Sequence, residues 1–140
     1  MRSALLLFKK PVGWISGGAK FGNTRAWGKK TLPNLFIGKT FTGTSWVDNG
    51  DGSYTHTPGT ATILTCGDIG LVDGQTYQFV FDVTLTAGDV TPVVNGTTGT
   101  TRTASGTYSE IIIAGAVTNN GINPNTLFDG TVSNLRLYKT

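Results

Sequence analysis

The chain has 140 residues, of which 20 are glycine and only 14% are charged. That length fits one domain large enough to bury its own core, together with an additional segment. Abundant glycine and threonine, with few charged helix formers, argue against a mainly helical protein and favour strands joined by tight turns.

Charge divides the chain into two parts. Residues 1–39 contain eight Lys or Arg and no acid, whereas residues 40–140 contain eight acids and three bases, so the two parts carry +8 and −5. The net charge of +3 is therefore the sum of a basic segment and an acidic domain of opposite sign. Because Pro11, Pro33 and several glycines interrupt the basic segment, we predict an extended arm at 1–33 and a separate domain at 34–140.

The arm carries more apolar and aromatic surface than a solvated linker needs. Its candidate partner-anchoring residues are Leu6, Phe8, Trp14, Phe21, Arg25 and Trp27. Trp and Arg are typical anchors of protein interfaces, so we expect the arm to dock on an acidic protein surface. Nucleic acid is a less favoured partner, because the basic residues are evenly spread and no recognised nucleic-acid module accompanies them.

The apolar run 4–8 is short and is followed at once by Lys9, Lys10 and Pro11. A signal peptide needs a longer apolar core, and a membrane span needs about 20 apolar residues. We therefore expect synthesis in the cytoplasm and no membrane partner.

The first part of the domain is predicted to contain strands at 34–37, 44–48, 53–57 and 60–66. The clearest hairpin signal is the turn sequence from Asn49 to Gly52, which offers two consecutive pairs suited to positive φ. Cys66 is the only cysteine, which excludes a disulfide within this sequence and a thiolate metal cluster. We interpret Cys66 as a small buried hydrophobe, in preference to a nucleophile activated by His56, the only histidine.

The stretch 75–85 is predicted to be the central strand. Five apolar side chains fall at alternate positions: Tyr77, Phe79, Phe81, Val83 and Leu85. The polar residues Gln78, Asp82 and Thr84 fall between them, and period two is the spacing of a strand buried on one face. Asp73-Gly74 before it is turn chemistry, and 67–74 is predicted to be a loop.

Further strands are predicted at 90–94, 97–103, 107–114 and 130–138. Asn95-Gly96 is a second hairpin signal, and the consecutive isoleucines at 111–113 predict a strand covered on both faces. The stretch 119–125, rich in Asn and Pro, is predicted to be a loop. About nine antiparallel strands without a helix indicate an all-β fold, a jelly-roll β-sandwich.

Several short segments resemble one family in their order along the chain. They are Trp46, the run DGSYTHTPGT (51–60), GQTYQFVFDV (74–83), ASGTYSEIIIAG (104–115) and FDGTVSNLRLY (128–138). In this order they resemble the jelly-roll modules that bind cellulose, xylan and related glycans, and their relatives in bacteriophage virion proteins. The resemblance implies a two-sheet jelly roll without enzymatic activity.

The same resemblance implies a glycan platform made of exposed aromatic rings with polar neighbours. The candidate glycan-binding residues are Trp46, Tyr54, His56, Asn95 and Tyr108. An alternative interpretation of Trp46 and Tyr54 is cross-strand packing in the hairpin.

Neither a metal, a cofactor nor a catalytic site is predicted. The cluster from Asp48 to Gly52 lacks the alternate spacing and terminal bidentate acid of a calcium loop, so it is interpreted as a turn. Glycan hydrolysis needs two carboxylates across the scissile bond, yet Glu110 is the only glutamate and most aspartates lie beside glycine in turns.

These observations favour a non-enzymatic bacteriophage virion structural protein, a capsid decoration, head fibre or tail component. Its arm would bind the major capsid or tail protein. The protein would also form a homo-oligomer such as a trimer, because the arm needs a surface and an oligomer supplies one. The alternative is a glycan- or receptor-binding module directed at a host surface glycan.

Overall fold

We describe the protein from a computed structural model, which describes residues 31–140. The six predicted anchoring residues of the arm, Leu6, Phe8, Trp14, Phe21, Arg25 and Trp27, lie outside the described residues. The strands of the described part are β1 (Trp46–Asp48), β2 (Ser53–His56), β3 (Leu64–Thr65), β4 (Thr76–Ala87), β5 (Val90–Val94), β6 (Thr97–Thr98), β7 (Gly106–Ile113), β8 (Gly121–Pro124) and β9 (Asp129–Lys139).

These strands form two sheets and pair antiparallel throughout. One sheet has five strands in the order β1-β2-β9-β4-β7, and the other has four in the order β3-β8-β5-β6. Residues 31–140 contain no helix. The predicted all-β sandwich is confirmed.

β4 lies inside the five-stranded sheet, between β9 and β7, and supplies the middle of the core. Tyr77, Phe79, Phe81 and Val83 are at most 3% exposed, and the residues between them face away from the core. Phe79 and Phe81 are in edge-to-face contact, with ring centroids 5.3 Å apart. The predicted central strand is confirmed, since only a strand places alternate side chains on one face.

The two predicted hairpin turns are also present. β1 pairs with β2 so that Trp46 faces His56 and Asp48 faces Tyr54. In the turn between them, Asp48 accepts a hydrogen bond from the backbone N–H of Gly50. In the second hairpin, Asn95 and Gly96 both have positive φ, of 45° and 85°, as a type I′ turn requires.

The strand predicted at 34–37 is wrong, because this stretch forms a turn. The Asn34 side-chain oxygen accepts hydrogen bonds from the backbone N–H of Phe36 at 3.1 Å and of Leu137 at 2.9 Å. Asn side chains that bond the backbone in this way replace strand pairing with a turn. The turn places Phe36 in the core, where its ring contacts Phe41 and Phe79.

The loop predicted at 119–125 is also wrong, since it contains β8, which pairs with both β3 and β5. Gly121 packs against the carbonyl oxygen of Leu64 so closely that a Cβ could not be placed there. Ile122, next to it, is fully buried and pairs with Leu64 and Pro92. The nine strands are thus as many as predicted, but β8 replaces the strand predicted at 34–37.

Two predicted strands are much shorter than expected. Only Leu64–Thr65 of 60–66 and Thr97–Thr98 of 97–103 are paired as strands. After β6, Thr100 leaves the sheet because its backbone N–H and hydroxyl both donate to the Glu110 carboxylate. That side-chain partner competes with strand pairing.

The isoleucines of β7 are not covered on both faces, so that prediction is wrong. Ile112 faces the core and is 4% exposed, whereas Ile111 and Ile113 are 57% and 58% exposed. The reason is that β7 is an edge strand of the five-stranded sheet, and no second layer of residues 31–140 covers the outer side of that sheet.

Candidate functional site

Trp46 and His56 belong to an aromatic cluster at one edge of the sandwich. The Trp46 ring lies 4.7 Å from the His56 ring and 5.8 Å from Phe128, and its indole N–H donates to the carbonyl oxygen of Thr62 at 2.8 Å. His56 is 1% exposed, and its Nδ1 lies 2.7 Å from the Phe128 carbonyl oxygen. Because that carbonyl only accepts, Nδ1 carries the proton and donates. Trp46 therefore packs against His56, its partner across the hairpin, as in the alternative interpretation.

Tyr54 and Asn95 are buried as well. Tyr54 is 8% exposed, and its ring lies 5.8 Å from that of Phe41. Asn95 is 5% exposed and exchanges hydrogen bonds with Asn120: the backbone N–H of Asn95 donates to Asn120 Oδ1 at 2.8 Å, and Asn120 Nδ2 donates to Asn95 Oδ1 at 3.1 Å. These two side chains face the interior rather than a surface ligand.

Tyr108 lies at the opposite edge of the sheet, on β7. Its ring is held between Phe81, at 5.7 Å, and the Arg102 guanidinium, 4.6 Å from the ring centroid. Arg102 also forms an ion pair with Glu110 at 3.3 Å. This group closes the side of the sandwich between β6 and β7, with Tyr108 enclosed by a cation–π contact.

The structure does not bring the five predicted glycan-binding residues together. β1 and β2 lie at one edge of the five-stranded sheet and β7 lies at the other, while Asn95 belongs to a turn of the second sheet. Trp46, Tyr54, His56, Asn95 and Tyr108 each have protein contacts that a structural role explains.

A different set of side chains shares one open surface, the outer side of the five-stranded sheet. Three rows cross β7, β4 and β9 in register: Ile111–Gln78–Tyr138, Ser109–Val80–Arg136 and Thr107–Asp82–Ser133. We call the surface formed by these nine residues and Asn134 the outer face. It combines hydroxyl, amide, carboxylate and guanidinium groups with one tyrosine ring and two aliphatic side chains.

A β-bulge in β9 shapes the outer face. Val80 pairs with Arg136 but Asp82 pairs with Ser133, so two residues of β9, Asn134 and Leu135, lie opposite one residue of β4. Asn134 has φ of 52°, which Asn tolerates better than most residues. Such a bulge redirects a side chain, and here the Asn134 amide donates a hydrogen bond to the Asp82 carboxylate.

The charge of Asp82 is fixed by its neighbours. The hydrogen bond from Asn134, with smaller contributions from Thr107 and Arg136, lowers the pKa of the Asp82 carboxyl below its ordinary value of 3.8. Asp82 is therefore an anion at neutral pH. Arg136 lies one row away on β9 and is one of three basic residues in 40–140. The face thus presents adjacent hydrogen-bond acceptors and donors of fixed character.

Gln78 and Ser109 complete the polar part of the outer face. The Gln78 amide nitrogen donates to the Ser109 hydroxyl at 2.9 Å, which orients the Gln78 oxygen away from Ser109. On the other side of Gln78 lies the half-buried Tyr138. A ring beside an oriented amide is an arrangement that binds a ligand with an apolar surface and hydroxyl groups.

Within residues 31–140 no group of three or more His, Cys, Asp or Glu could hold a metal ion. The described part of the chain lines no pocket, and it contains no helix long and apolar enough to cross a membrane.

Comparison with known proteins adds one structural relative. No family profile and no curated protein matches the sequence. The fold is similar to that of the unliganded carbohydrate-binding module CBM1 of the xylanase BiXyn10A, with a TM-score of 0.53 and 13% sequence identity, over 79% of this chain and 97% of that module. The chain therefore has a β-sandwich fold of the kind found in a carbohydrate-binding module.

Proposed function

We propose that residues 34–140 form a non-catalytic carbohydrate-binding module that binds a neutral polysaccharide along the outer face. The observation that carries this proposal is the grouping of Tyr138, Gln78, Asp82, Asn134 and Arg136 on one open sheet surface. The fold similarity to a carbohydrate-binding module supports it. A charge of −5 on residues 40–140 opposes anionic polymers, which is why we propose a neutral ligand.

Each outer-face residue has a role in this proposal. The Tyr138 ring packs against the apolar side of a sugar. Ile111, at the other end of the same row, and Val80, in the next row, extend that surface. Asn134 and Arg136 donate hydrogen bonds to sugar hydroxyls, and Asp82 holds the Asn134 amide in place. The three strands place these groups at about 4.8 Å intervals across the sheet, so an extended chain contacts several at once.

The proposal is tested by affinity electrophoresis in gels that contain soluble cellulose derivatives, xylan, glucomannan or β-glucan. Replacing Tyr138 with Ala should weaken binding by about tenfold or more, the usual effect of truncating an aromatic anchor. Val47→Ala is the matched control, because Val47 is exposed on the same side of the sheet but on β1, at the opposite edge. Retained binding by Tyr138→Ala, or equal loss in both variants, would contradict the proposed site.

A second variant separates the hydrogen-bonding role from the shape of the bulge. Asn134→Gly keeps a residue that tolerates φ of 52° but removes the amide that donates to Asp82. We expect unchanged thermal unfolding within a few degrees and several-fold weaker glycan binding. A variant that binds as tightly as the natural chain would remove Asn134 from the site.

The charge division of the sequence favours a second candidate, which is compatible with the first. We propose that the chain is a bacteriophage virion structural protein, a capsid decoration, fibre or tail component, whose basic arm anchors it to the major capsid or tail protein. Eight basic and no acidic residues in 1–39 support docking on an acidic protein surface. In this proposal the protein resides in the virion and the domain displays the glycan-binding face outward.

Light scattering tests the anchoring proposal. The full chain is compared with a chain that starts at Thr31, alone and after mixing with purified virion proteins. Binding to virion proteins by the full chain only, weakened by salt, is the expected result. Equal behaviour of both chains would remove the arm from any anchoring role.

A further inference from the structure

The four sheet edges of residues 31–140 differ greatly in length. β1, β3 and β6 are edge strands of two or three residues, whereas β7 is an edge strand of eight residues, Gly106–Ile113. Short edge strands are a common protection against pairing with another chain, and a long one offers a template for it.

The backbone groups on the free side of β7 can be assigned by alternation. The N–H of Ala114 donates to the carbonyl oxygen of Gln75, so at this position the backbone groups point towards β4. Backbone direction alternates along a strand, so Thr107, Ser109, Ile111 and Ile113 point their N–H and C=O groups outward. No backbone group within the described residues pairs with them.

The side chains of this edge are suited to a second copy of the chain. Ile111 on the outer face and Ile113 beside it on the same side of the sheet are both more than half exposed. Glu110 is the single charged residue of β7, and Arg102 neutralises it from within the same domain. Residues 40–140 carry −5 in total, which opposes the association of two domains, and the β7 edge adds no unpaired charge to that repulsion.

We propose that the β7 strands of two copies pair antiparallel about a two-fold axis at Ile111. In this register Ile111 faces Ile111 of the second copy, and Ser109 faces Ile113. A register centred on Glu110 would place two carboxylates directly opposite each other, which is destabilising. The pairing joins the two five-stranded sheets into one ten-stranded sheet, so each contact is made twice, as in other isologous dimers.

If the proposed glycan-binding function also holds, the dimer gives it a larger ligand surface. Both outer faces lie on the same side of the joined sheet, and a polysaccharide chain can contact both. Two linked sites bind a polymer more tightly than either alone. Dimer formation is measured without glycan, so its failure is distinguishable from failure of the glycan-binding proposal.

Sedimentation equilibrium of the full chain, over a wide range of concentrations, tests the pairing. One strand pair buries less than the roughly 800 Å² per partner of a standard interface, so we expect a weak, concentration-dependent dimer. Ile111→Lys places two ammonium groups opposite each other and should raise the dissociation constant by about tenfold or more. Val47→Lys adds the same charge at a side chain that is also 57% exposed and should leave dimerisation unchanged.

Cysteine cross-linking in a Cys66→Ala background tests the register and does not depend on the strength of association. Opposed residues of a hydrogen-bonded pair have Cα atoms about 5.5 Å apart, within disulfide range. Ile111→Cys should therefore form a covalent dimer on mild oxidation. Ser109→Cys, whose two copies would be more than about 12 Å apart, should not. A natural chain that is monomeric throughout, an Ile111→Lys variant that still dimerises, or cross-linking of Ser109→Cys instead of Ile111→Cys would overturn the proposal.

Discussion

The buried amide pair of Asn95 and Asn120 gives a stability prediction that the structure makes quantitative. Asn120 is fully buried and makes three side-chain hydrogen bonds of 2.8–3.1 Å, to the backbone N–H and Oδ1 of Asn95 and to the carbonyl oxygen of Gly67. Replacing Asn120 with Ala leaves those three groups without their partner. Each such group costs about 1–3 kcal/mol, so three of them predict a loss of about 3–9 kcal/mol in the free energy of unfolding. The total free energy of unfolding of a domain of this size is about 5–15 kcal/mol.

Urea unfolding followed by far-UV circular dichroism measures this loss. Asn123→Ala is the matched control, because Asn123 is half-buried on β8, which begins directly after Asn120, and its side chain makes no hydrogen bond within residues 31–140. That control should change stability by less than about 1 kcal/mol. Asn120→Asp adds a second test, since it keeps the volume but loses the donor.

The carboxylate of Asn120→Asp would face the carbonyl oxygen of Gly67 and Oδ1 of Asn95. Burial raises the pKa of such a carboxyl, and protonation restores a donor, so stability should recover in part as the pH falls towards about 4. A loss below about 1 kcal/mol for Asn120→Ala, or no recovery of Asn120→Asp in acid, would refute the argument that hydrogen bonding rather than packing holds this end of the sandwich.

Two further predictions concern titratable groups. Burial raises the pKa of the Cys66 thiol to about 11. At pH 8 iodoacetamide should therefore alkylate Cys66 roughly a hundredfold more slowly than a free cysteine, and unfolding in urea should remove this protection. Rapid alkylation of the folded chain would contradict this prediction. The pKa of Asp82 is lowered, chiefly by Asn134, so its contribution to stability is present at pH values above the ordinary 3.8 and is lost as the pH falls through the lowered value. NMR titration should place the Asp82 midpoint below 3.8 and show it rising in Asn134→Ala; an unchanged midpoint would remove Asn134 as the cause.

The sequence predicted those elements whose local signals agree with their tertiary surroundings. β4 carries apolar side chains at the alternate positions Tyr77, Phe79, Phe81 and Val83, and it lies where one of its faces is buried and the other is not. Asn95-Gly96 is at a turn that needs positive φ at both positions, which few other residue pairs supply at low cost. In both places a single physical requirement decides the structure, and the sequence shows that requirement directly.

The predictions from sequence were wrong where a side-chain hydrogen bond or a close backbone contact outweighs the local propensity for strand or loop. β8 consists of Gly, Ile, Asn and Pro, a composition typical of a loop, yet Gly121 is needed because the Leu64 carbonyl leaves no room for a Cβ. Asn34 begins a turn in place of the strand predicted at 34–37, because its side chain accepts a hydrogen bond from the backbone N–H of Leu137, 103 residues away in the sequence. Neither partner is visible from the neighbouring residues.

The outer face does not follow from the aromatic residues near turns, although the sequence contains another signal for it. A small two-layer sandwich uses most of its rings as core, as Trp46 and Tyr54 show. The better signal is a change of parity along β9. Val132 and Leu137 both face the core although they are five positions apart, and a regular strand cannot place positions of opposite parity on one face. An extra residue must lie between them, and Asn134, which tolerates positive φ, is the natural position for it. The bulge brings the Asn134 amide to Asp82. Because Leu137 faces the core, its neighbours Arg136 and Tyr138 face outward. The same bulge therefore keeps the core continuous and assembles the outer face.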